Sequence, residues 1–131
     1  MKLNHIKKQA GLTLIEVTLV IAVLLGLISV LFIGVSAYRE GSNRANCILN
    51  ISNVQKAVRS YQNLYELNVG GALTTDVIIG TGKMLESTPT CPSGGEYDTA
   101  DVVPAIGTPY LTCSKSADED GAHRPKSTSG W

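Results

Sequence analysis

The sequence has few of the features that identify enzymes or nucleic-acid-binding proteins. Aromatic residues make up 5% of the chain, and its positive and negative charges cancel. It has neither the basic patch nor the interleaved aromatic residues of a nucleic-acid-binding surface. It contains no phosphate-binding glycine loop, no HExxH and no convincing Ser/His/Asp triad. His5 lies in the N-terminal leader, which leaves His123 as the one candidate base. We therefore expect no enzymatic activity and no direct nucleic-acid binding.

Charge is also absent from 21 consecutive residues, Val17–Ala37. As an α-helix, with a rise of about 1.5 Å per residue, this segment spans roughly 30 Å, the thickness of the hydrocarbon core of a bilayer. Three lysines precede it, which predicts that the N-terminus stays cytoplasmic and that the rest of the chain is exported. The segment is thus a predicted transmembrane helix.

Two other interpretations of the apolar segment are a plain single-span anchor and a cleaved secretory signal. Val35-Ser36-Ala37 does resemble a small-x-small cleavage site. Secretory signals, however, have apolar cores of only about 7–15 residues, and this segment is longer and directly follows an acid.

That acid, Glu16, lies just before the uncharged segment. A carboxylate costs about 2.5–3.5 kcal/mol at the centre of a bilayer and less near the interface. Glu16 therefore either lies at headgroup level or pairs with a positive partner.

A short lysine-containing leader ends at Gly11 and is followed by Leu12-Thr13-Leu14-Ile15-Glu16-Val17. This pattern resembles the N-terminal motif of the type IV pilin and type II secretion pseudopilin superfamily. Leu12 stands where phenylalanine is commonest in that family.

The resemblance implies a function and a set of partners. A prepilin peptidase, which is also an N-methyltransferase, would cut between Gly11 and Leu12 and methylate the new amino terminus. Glu16 would then pair with a terminal amine in a growing fibre. The precursor would be stored in the bacterial inner membrane and polymerised with copies of itself or other pilin-like subunits. An assembly platform and its ATPase would build the type IV pilus or type II secretion pseudopilus, and no cofactor is implied.

The alternative function is a non-polymerising single-span envelope protein whose small head binds a partner. Both interpretations place the C-terminal part of the chain in the periplasm or outside the cell.

The expected fold is α+β and pilin-like: one long N-terminal helix, from Leu12 to about Glu66, with a small C-terminal head. We divide the chain into a leader (1–11), a transmembrane helix (12–37), its amphipathic continuation (38–66), a globular head (67–123) and a mobile tail (124–131). The amphipathic part is predicted from apolar residues at alternating spacings of four and three, namely Cys47, Ile51, Val54, Val58, Tyr61 and Tyr65. The polar residues between them are Asn50, Asn53, Gln55, Lys56, Arg59 and Asn63.

The head is predicted from turn and strand signals. Gly70–Gly71 ends the helical pattern, and Thr74-Thr75-Asp76 offers a cap for a short helix through Val77–Ile79. Glu96–Ala100 and Thr108–Ser114 are expected to form the two strands of a short hairpin.

Three cysteines, Cys47, Cys91 and Cys113, follow the apolar segment. In an oxidising compartment we expect a disulfide between Cys91 and Cys113, which would contribute about 3–3.5 kcal/mol by closing that loop. A bridge from Cys47 to either of the others is the alternative. With His123 the cysteines are four ligands of the right type for zinc, but the sequence has no CxxC and no other diagnostic spacing. We therefore predict no metal site from the sequence.

An acidic segment near the C-terminus contains Asp118, Glu119 and Asp120. Some pseudopilins bind calcium in a C-terminal loop, and clustered carboxylates suit that ion. An acidic surface turn is the other interpretation, and the spacing matches no established calcium loop.

Overall fold

The computed structural model describes residues 7–117 and 122–131, with side chains from Thr13 onward. Helix α1 spans Lys7–Leu64 and α2 spans Thr75–Ile78. Strands β1 (Tyr97–Thr99) and β2 (Leu111–Cys113) follow, and a 3-10 turn, Ser114–Ala117, comes directly after β2. The expected layout of one long N-terminal helix and a small head with a short antiparallel sheet is confirmed.

The chain divides into two compact units within α1. The N-terminal unit ends at Arg39, and the head unit comprises Glu40–Trp131. The C-terminal part of α1, predicted as a separate amphipathic segment, therefore belongs to the same unit as the strands, because its apolar side chains form part of their core.

The bounds of α1 differ from the predicted ones at both ends. The helix begins in the leader, at Lys7 instead of Leu12, and ends at Leu64 instead of Glu66. Glu66 has a positive φ of 50°, and the backbone N–H of Leu67 donates to the carbonyl of Gln62 at 3.0 Å. This is the 6→1 hydrogen bond of a Schellman cap, with Glu66 at the position that glycine usually occupies. The helix thus stops before Gly70.

The core of the head unit forms where α1 meets the segments that follow it. Twelve buried residues make up this core: Cys47, Ile51, Val54, Ala57, Val58, Leu73, Ile78, Cys91, Val103, Tyr110, Leu111 and Cys113. Four residues of the predicted stripe are among them and Tyr61 packs against them, as expected. Tyr65 is the exception. It follows the last residue of α1, Leu64, and is 57% exposed.

The short helix α2 begins at Thr75 and ends at Ile78, one residue before the predicted end, and the Thr74 side chain makes no capping hydrogen bond. The hairpin is confirmed with shorter strands than predicted. β1 and β2 pair antiparallel, with Tyr97 opposite Cys113 and Thr99 opposite Leu111. In β2 the side chains of Leu111 and Cys113 are buried and that of Thr112 is exposed, which is the alternation of a sheet with one covered face.

The C-terminal tail, residues 124–131, has more contacts with the head unit than its polar composition indicated. The carbonyl of Trp131 accepts a hydrogen bond from the backbone N–H of Gly107 at 3.1 Å. Arg59 donates to the same carbonyl at 3.0 Å, and the Trp131 side chain packs against the core. These contacts hold the last residue of the chain against α1.

Candidate functional site

The residues of the predicted processing site lie in α1. Gly11 and Leu12 have helical backbone, and their side chains lie outside the described part of the structure. The side chain of Glu16 is exposed, one turn further along the same helix. The structure therefore places the proposed assembly carboxylate on the open surface of the N-terminal unit.

The apolar segment beyond Glu16 is uncovered along its whole length. Every side chain described from Thr13 to Arg39 in this unit is exposed, including the large apolar ones. Within the described residues, α1 is a helix long and apolar enough to cross a membrane, judged by length and composition. It is the candidate membrane span that the sequence predicted.

Hydroxyl groups in the apolar segment are satisfied within the helix. Thr18 donates to the carbonyl of Ile15 at 2.9 Å, and Ser29 donates to that of Leu25 at 2.8 Å. Ser36 donates to the carbonyl of Ile33 at 2.9 Å. A lipid environment offers no water to such groups, so these internal bonds lower the cost of transferring the segment out of water.

A second candidate site lies in the head unit, where all three cysteines meet His123. The three Sγ atoms and an imidazole nitrogen lie within 4.8 Å of one another, and all four residues are buried. We call this group the Cys₃His cluster. The sequence contains these four ligands without a diagnostic spacing and therefore predicts no metal site. The structure brings them together from four different parts of the fold and not from one local motif.

Each member of the cluster is held by a different element. Cys47 lies on the buried face of α1, and Cys113 ends β2. Cys91 begins a turn that is closed by a hydrogen bond of 3.0 Å from the Gly94 N–H to the Cys91 carbonyl. His123 is tied to the turn after β2, because its backbone N–H donates to the carbonyl of Lys115 at 3.1 Å.

The imidazole of His123 bridges the cluster and a carboxylate. Its Nδ1 lies 3.5 Å from the Sγ of Cys91, and its Nε2 lies 3.3 Å from a carboxylate oxygen of Glu40. The tautomer with a proton on Nε2 donates to Glu40 and leaves the lone pair of Nδ1 directed at the sulfurs. Glu40 also accepts a hydrogen bond from the Ser93 hydroxyl at 3.3 Å.

A hydrogen-bonded chain of polar groups supports Cys47 from the other side. The hydroxyl of Tyr97 donates to the Sγ of Cys47 at 3.3 Å, and the side-chain amide of Asn50 donates to the Tyr97 oxygen at 3.3 Å. Because Tyr97 on β1 is paired with Cys113 on β2, the sheet that carries the Cys113 thiol also holds the hydroxyl that donates to Cys47.

The thiols of the cluster differ in acidity. Burial, together with the neighbouring Cys113 and Cys91, raises the pKa of Cys47 to about 12, although the Tyr97 hydroxyl acts in the opposite direction. Burial also acts to raise the pKa of Cys91, but its interactions with the backbone of Ser93 and Gly95, with Cys47 and with His123 outweigh it and bring that pKa to about 7. Cys91 is thus the thiol that ionises most readily of the two.

Three expectations, about a disulfide, a metal site and calcium binding, compare differently with the structure. The cysteines are free thiols in the structure, so the predicted bridge between Cys91 and Cys113 is not formed there and stays a prediction. The argument against a metal site relied on spacing along the sequence, and the tertiary structure brings the four ligand atoms together regardless of spacing. The acidic segment Asp118, Glu119 and Asp120, for which the sequence leaves calcium binding open, lies outside the described residues.

Comparison of the chain with protein-family models, with curated proteins and with solved structures gave no match.

Proposed function

We propose that this protein is the precursor of a pilin-like structural subunit. It is cut between Gly11 and Leu12, stored in the bacterial inner membrane through the apolar part of α1, and polymerised into a type IV pilus or type II secretion pseudopilus. Its partners are the prepilin peptidase and N-methyltransferase, other subunits of the same kind, and an assembly platform with its ATPase.

The observation that carries this proposal is the single carboxylate, Glu16, at the head of an uncharged and uncovered helical surface. So large an apolar surface requires either lipid or the helices of other molecules. A membrane supplies the first environment and the interior of a helical fibre the second. The same surface thus serves storage and assembly.

The carboxylate gives assembly its register. Cleavage after Gly11 creates a cationic amine at Leu12, and Glu16 of a neighbouring subunit neutralises it where water is excluded. A buried charge without its partner costs several kcal/mol, so subunits packed out of register are strongly disfavoured. The pair therefore selects one arrangement more than it adds stability.

The second candidate function, a non-polymerising envelope protein, shares the membrane helix and differs in the fate of its N-terminus. A mature protein beginning at Leu12 with one added methyl group distinguishes the two, because a simple anchor keeps its leader.

The decisive experiment is intact-mass measurement of the membrane-extracted protein, produced with and without a prepilin peptidase. The expected product with the peptidase is methylated Leu12–Trp131. Gly11→Ala should block the cut, because a side chain at that position obstructs the peptidase. Gly26→Ala is the matched control, since nothing lies within 4 Å of a methyl group at Gly26. A mature protein that starts at Met1 or Tyr38 in the presence of the peptidase contradicts the proposal.

A further inference from the structure

We propose that the Cys₃His cluster of the head unit is a structural metal site that binds one Zn²⁺ ion through Cys47, Cys91, Cys113 and His123. The site does not depend on fibre assembly, and its ligands all lie in the head unit.

The spacing of the ligand atoms fits tetrahedral zinc. With Zn–S bonds of about 2.3 Å and Zn–N bonds of about 2.0–2.1 Å, a tetrahedral site has edges of roughly 3.8 Å between sulfurs and roughly 3.5 Å between sulfur and nitrogen. The observed distance between Cys91 Sγ and His123 Nδ1 is 3.5 Å, and no two of the four atoms lie further apart than 4.8 Å. The edge between Cys91 and His123 already has the length that zinc requires, and the remaining pairs need to approach by at most about 1 Å.

The turn that begins at Cys91 is shaped for a metal-bound thiolate. The backbone amides of Ser93 and Gly95 act on the Cys91 sulfur in the direction that favours its negative form. A Cβ atom at Gly95 would lie 2.7 Å from the Sγ of Cys113 and 3.3 Å from that of Cys91. Only glycine allows the backbone to approach both sulfurs this closely.

The carboxylate of Glu40 orients the histidine. A metal-binding imidazole usually donates its second N–H to a carboxylate or carbonyl, which fixes the tautomer and the ring orientation. His123 has this arrangement, with Nδ1 toward the sulfurs and Nε2 3.3 Å from Glu40. Glu40 itself is 57% exposed at its side chain, so it remains solvated and acts as a positioning residue outside the coordination shell.

The number and burial of the donors favour a metal over a disulfide. A bridge between two of the cysteines would leave the third thiol and the imidazole buried beside it without a common role. Four soft or borderline ligands, all buried, match the closed coordination shell of a structural zinc site. The three cysteines bind zinc as thiolates, so the resulting site carries one net negative charge. The Tyr97 hydroxyl and the amides around Cys91 offset this charge.

Zinc would join four parts of a head unit whose apolar core is small. It would link α1, the Cys91 turn, the end of β2 and the segment before the tail, and its binding free energy would add directly to that of folding. Such a link matters more in a small domain, because a smaller fraction of its surface is buried on folding.

The test uses the full-length chain in detergent micelles, purified with a reductant and without chelators. We expect one zinc per chain by elemental mass spectrometry. After the zinc is removed, titration with Co²⁺ should give the intense visible bands of tetrahedral, thiolate-bound cobalt, which saturate at one equivalent and disappear when Zn²⁺ is added. All three thiols should resist alkylation with zinc bound and react after chelation.

Less than a tenth of an equivalent of zinc in the purified protein, or a weak octahedral cobalt spectrum, overturns the proposal. So does a mass two hydrogens lower, together with a linked Cys91–Cys113 peptide, in a parallel sample extracted without a reductant.

Variants separate the metal site from a general packing role. His123→Ala should abolish stoichiometric cobalt binding, whereas His123→Cys should retain it and increase the sulfur-to-cobalt charge-transfer absorption.

Glu40→Gln should leave the protein folded and weaken zinc affinity by about 10- to 100-fold. Glu86→Gln, another exposed glutamate of the head unit, is the matched control and should bind zinc as the natural protein does. Unchanged affinity in Glu40→Gln contradicts the role given to Glu40, and normal cobalt spectra in His123→Ala contradict the site.

The same samples keep the two proposals distinguishable. The intact mass reports processing at Gly11, and the metal content reports the cluster. A processed chain without zinc overturns only the metal site, and an unprocessed chain with zinc overturns only the assembly proposal.

Discussion

The side-chain oxygen of Gln55 accepts a hydrogen bond of 2.7 Å from the backbone N–H of Tyr110 inside the core of the head unit. The amide nitrogen of the same side chain donates to the carbonyl of Thr108 at 3.3 Å. The Gln55 side chain therefore connects α1, through two hydrogen bonds, to the backbone of the segment that leads into β2. The sequence placed Gln55 on the polar face of α1, yet it is 3% exposed.

We predict that Gln55→Ala destabilises the head unit by about 1–3 kcal/mol, because the N–H of Tyr110 is left buried without a partner. Lys56→Ala, at the exposed neighbouring position, is the control and should change stability by less than about 0.5 kcal/mol. Thermal unfolding of the full chain in detergent measures both. Trp131 is the one tryptophan of the chain and packs against the core, so its fluorescence reports the transition. Equal melting temperatures for the two variants would refute the role of Gln55.

A second prediction concerns Arg59, whose guanidinium donates to the carbonyls of Pro104, Ala105 and Trp131 at 2.8–3.0 Å. Arg59→Lys keeps the charge but loses the planar set of donors that reaches three carbonyls. We expect a loss of about 1–3 kcal/mol and a red shift of Trp131 emission in the folded protein as the tail loosens.

The control for Arg59 is Arg124→Lys, at an exposed position of the same unit. This variant should keep both the melting temperature and the emission maximum of the natural protein. If Arg59→Lys also keeps them, Arg59 does not hold the tail.

The buried hydroxyl of Tyr110 should make the stability of the head unit depend on pH. This hydroxyl donates to the carbonyl of Leu73 at 2.7 Å, and burial, with smaller contributions from Asp101 and Asp76, raises its pKa from 10.0 to about 12. Folding favours the protonated form of Tyr110. The contribution of Tyr110 to the free energy of unfolding is therefore fully present below pH 10 and is lost as the pH rises from 10 to 12.

Tyr110→Phe isolates this contribution. At pH 8 the variant should be less stable by about 1 kcal/mol, since the Leu73 carbonyl loses its donor. The difference in unfolding free energy between natural protein and variant should shrink between pH 10 and 12. Urea titrations at four pH values measure it, and a difference that stays constant with pH would contradict the assignment.

Gly95 provides a steric prediction about the cluster. Gly95→Ala places a methyl group against two sulfurs and should lower both zinc affinity and the melting temperature. Gly41→Ala is the matched control, because nothing lies within 4 Å of the added methyl group. That control lies within α1 and should stabilise the helix slightly, by about 0.5–1 kcal/mol. Unimpaired zinc binding in Gly95→Ala would contradict the close approach.

The last prediction concerns assembly. Glu16→Ala should leave membrane insertion and cleavage at Gly11 intact, because neither requires the carboxylate, and should abolish fibres, since no partner remains for the amine of Leu12. Sheared filaments probed for the protein measure the outcome. Glu86→Ala, which alters an exposed glutamate of the head unit, should assemble normally. Normal fibres from Glu16→Ala would show that the pair does not direct assembly.

The sequence by itself determined the elements that depend on local chemistry. A run of 21 uncharged residues predicts a membrane-length helix because each residue contributes independently to transfer into lipid. The spacing of Cys47, Ile51, Val54 and Val58 predicts the buried face of α1 because helical periodicity is local. The hairpin follows in the same way from the turn residues on either side of its strands.

Only the tertiary structure decided which distant groups meet. Gln55 and Arg59 appeared as surface residues of a helix until carbonyls from other segments of the head unit were placed against them. Cys47, Cys91, Cys113 and His123 carry no shared local pattern, and their proximity results from packing α1 against the Cys91 turn, the end of β2 and the segment that holds His123. Chain folding sets such distances through long-range contacts, and no local spacing along the sequence encodes them.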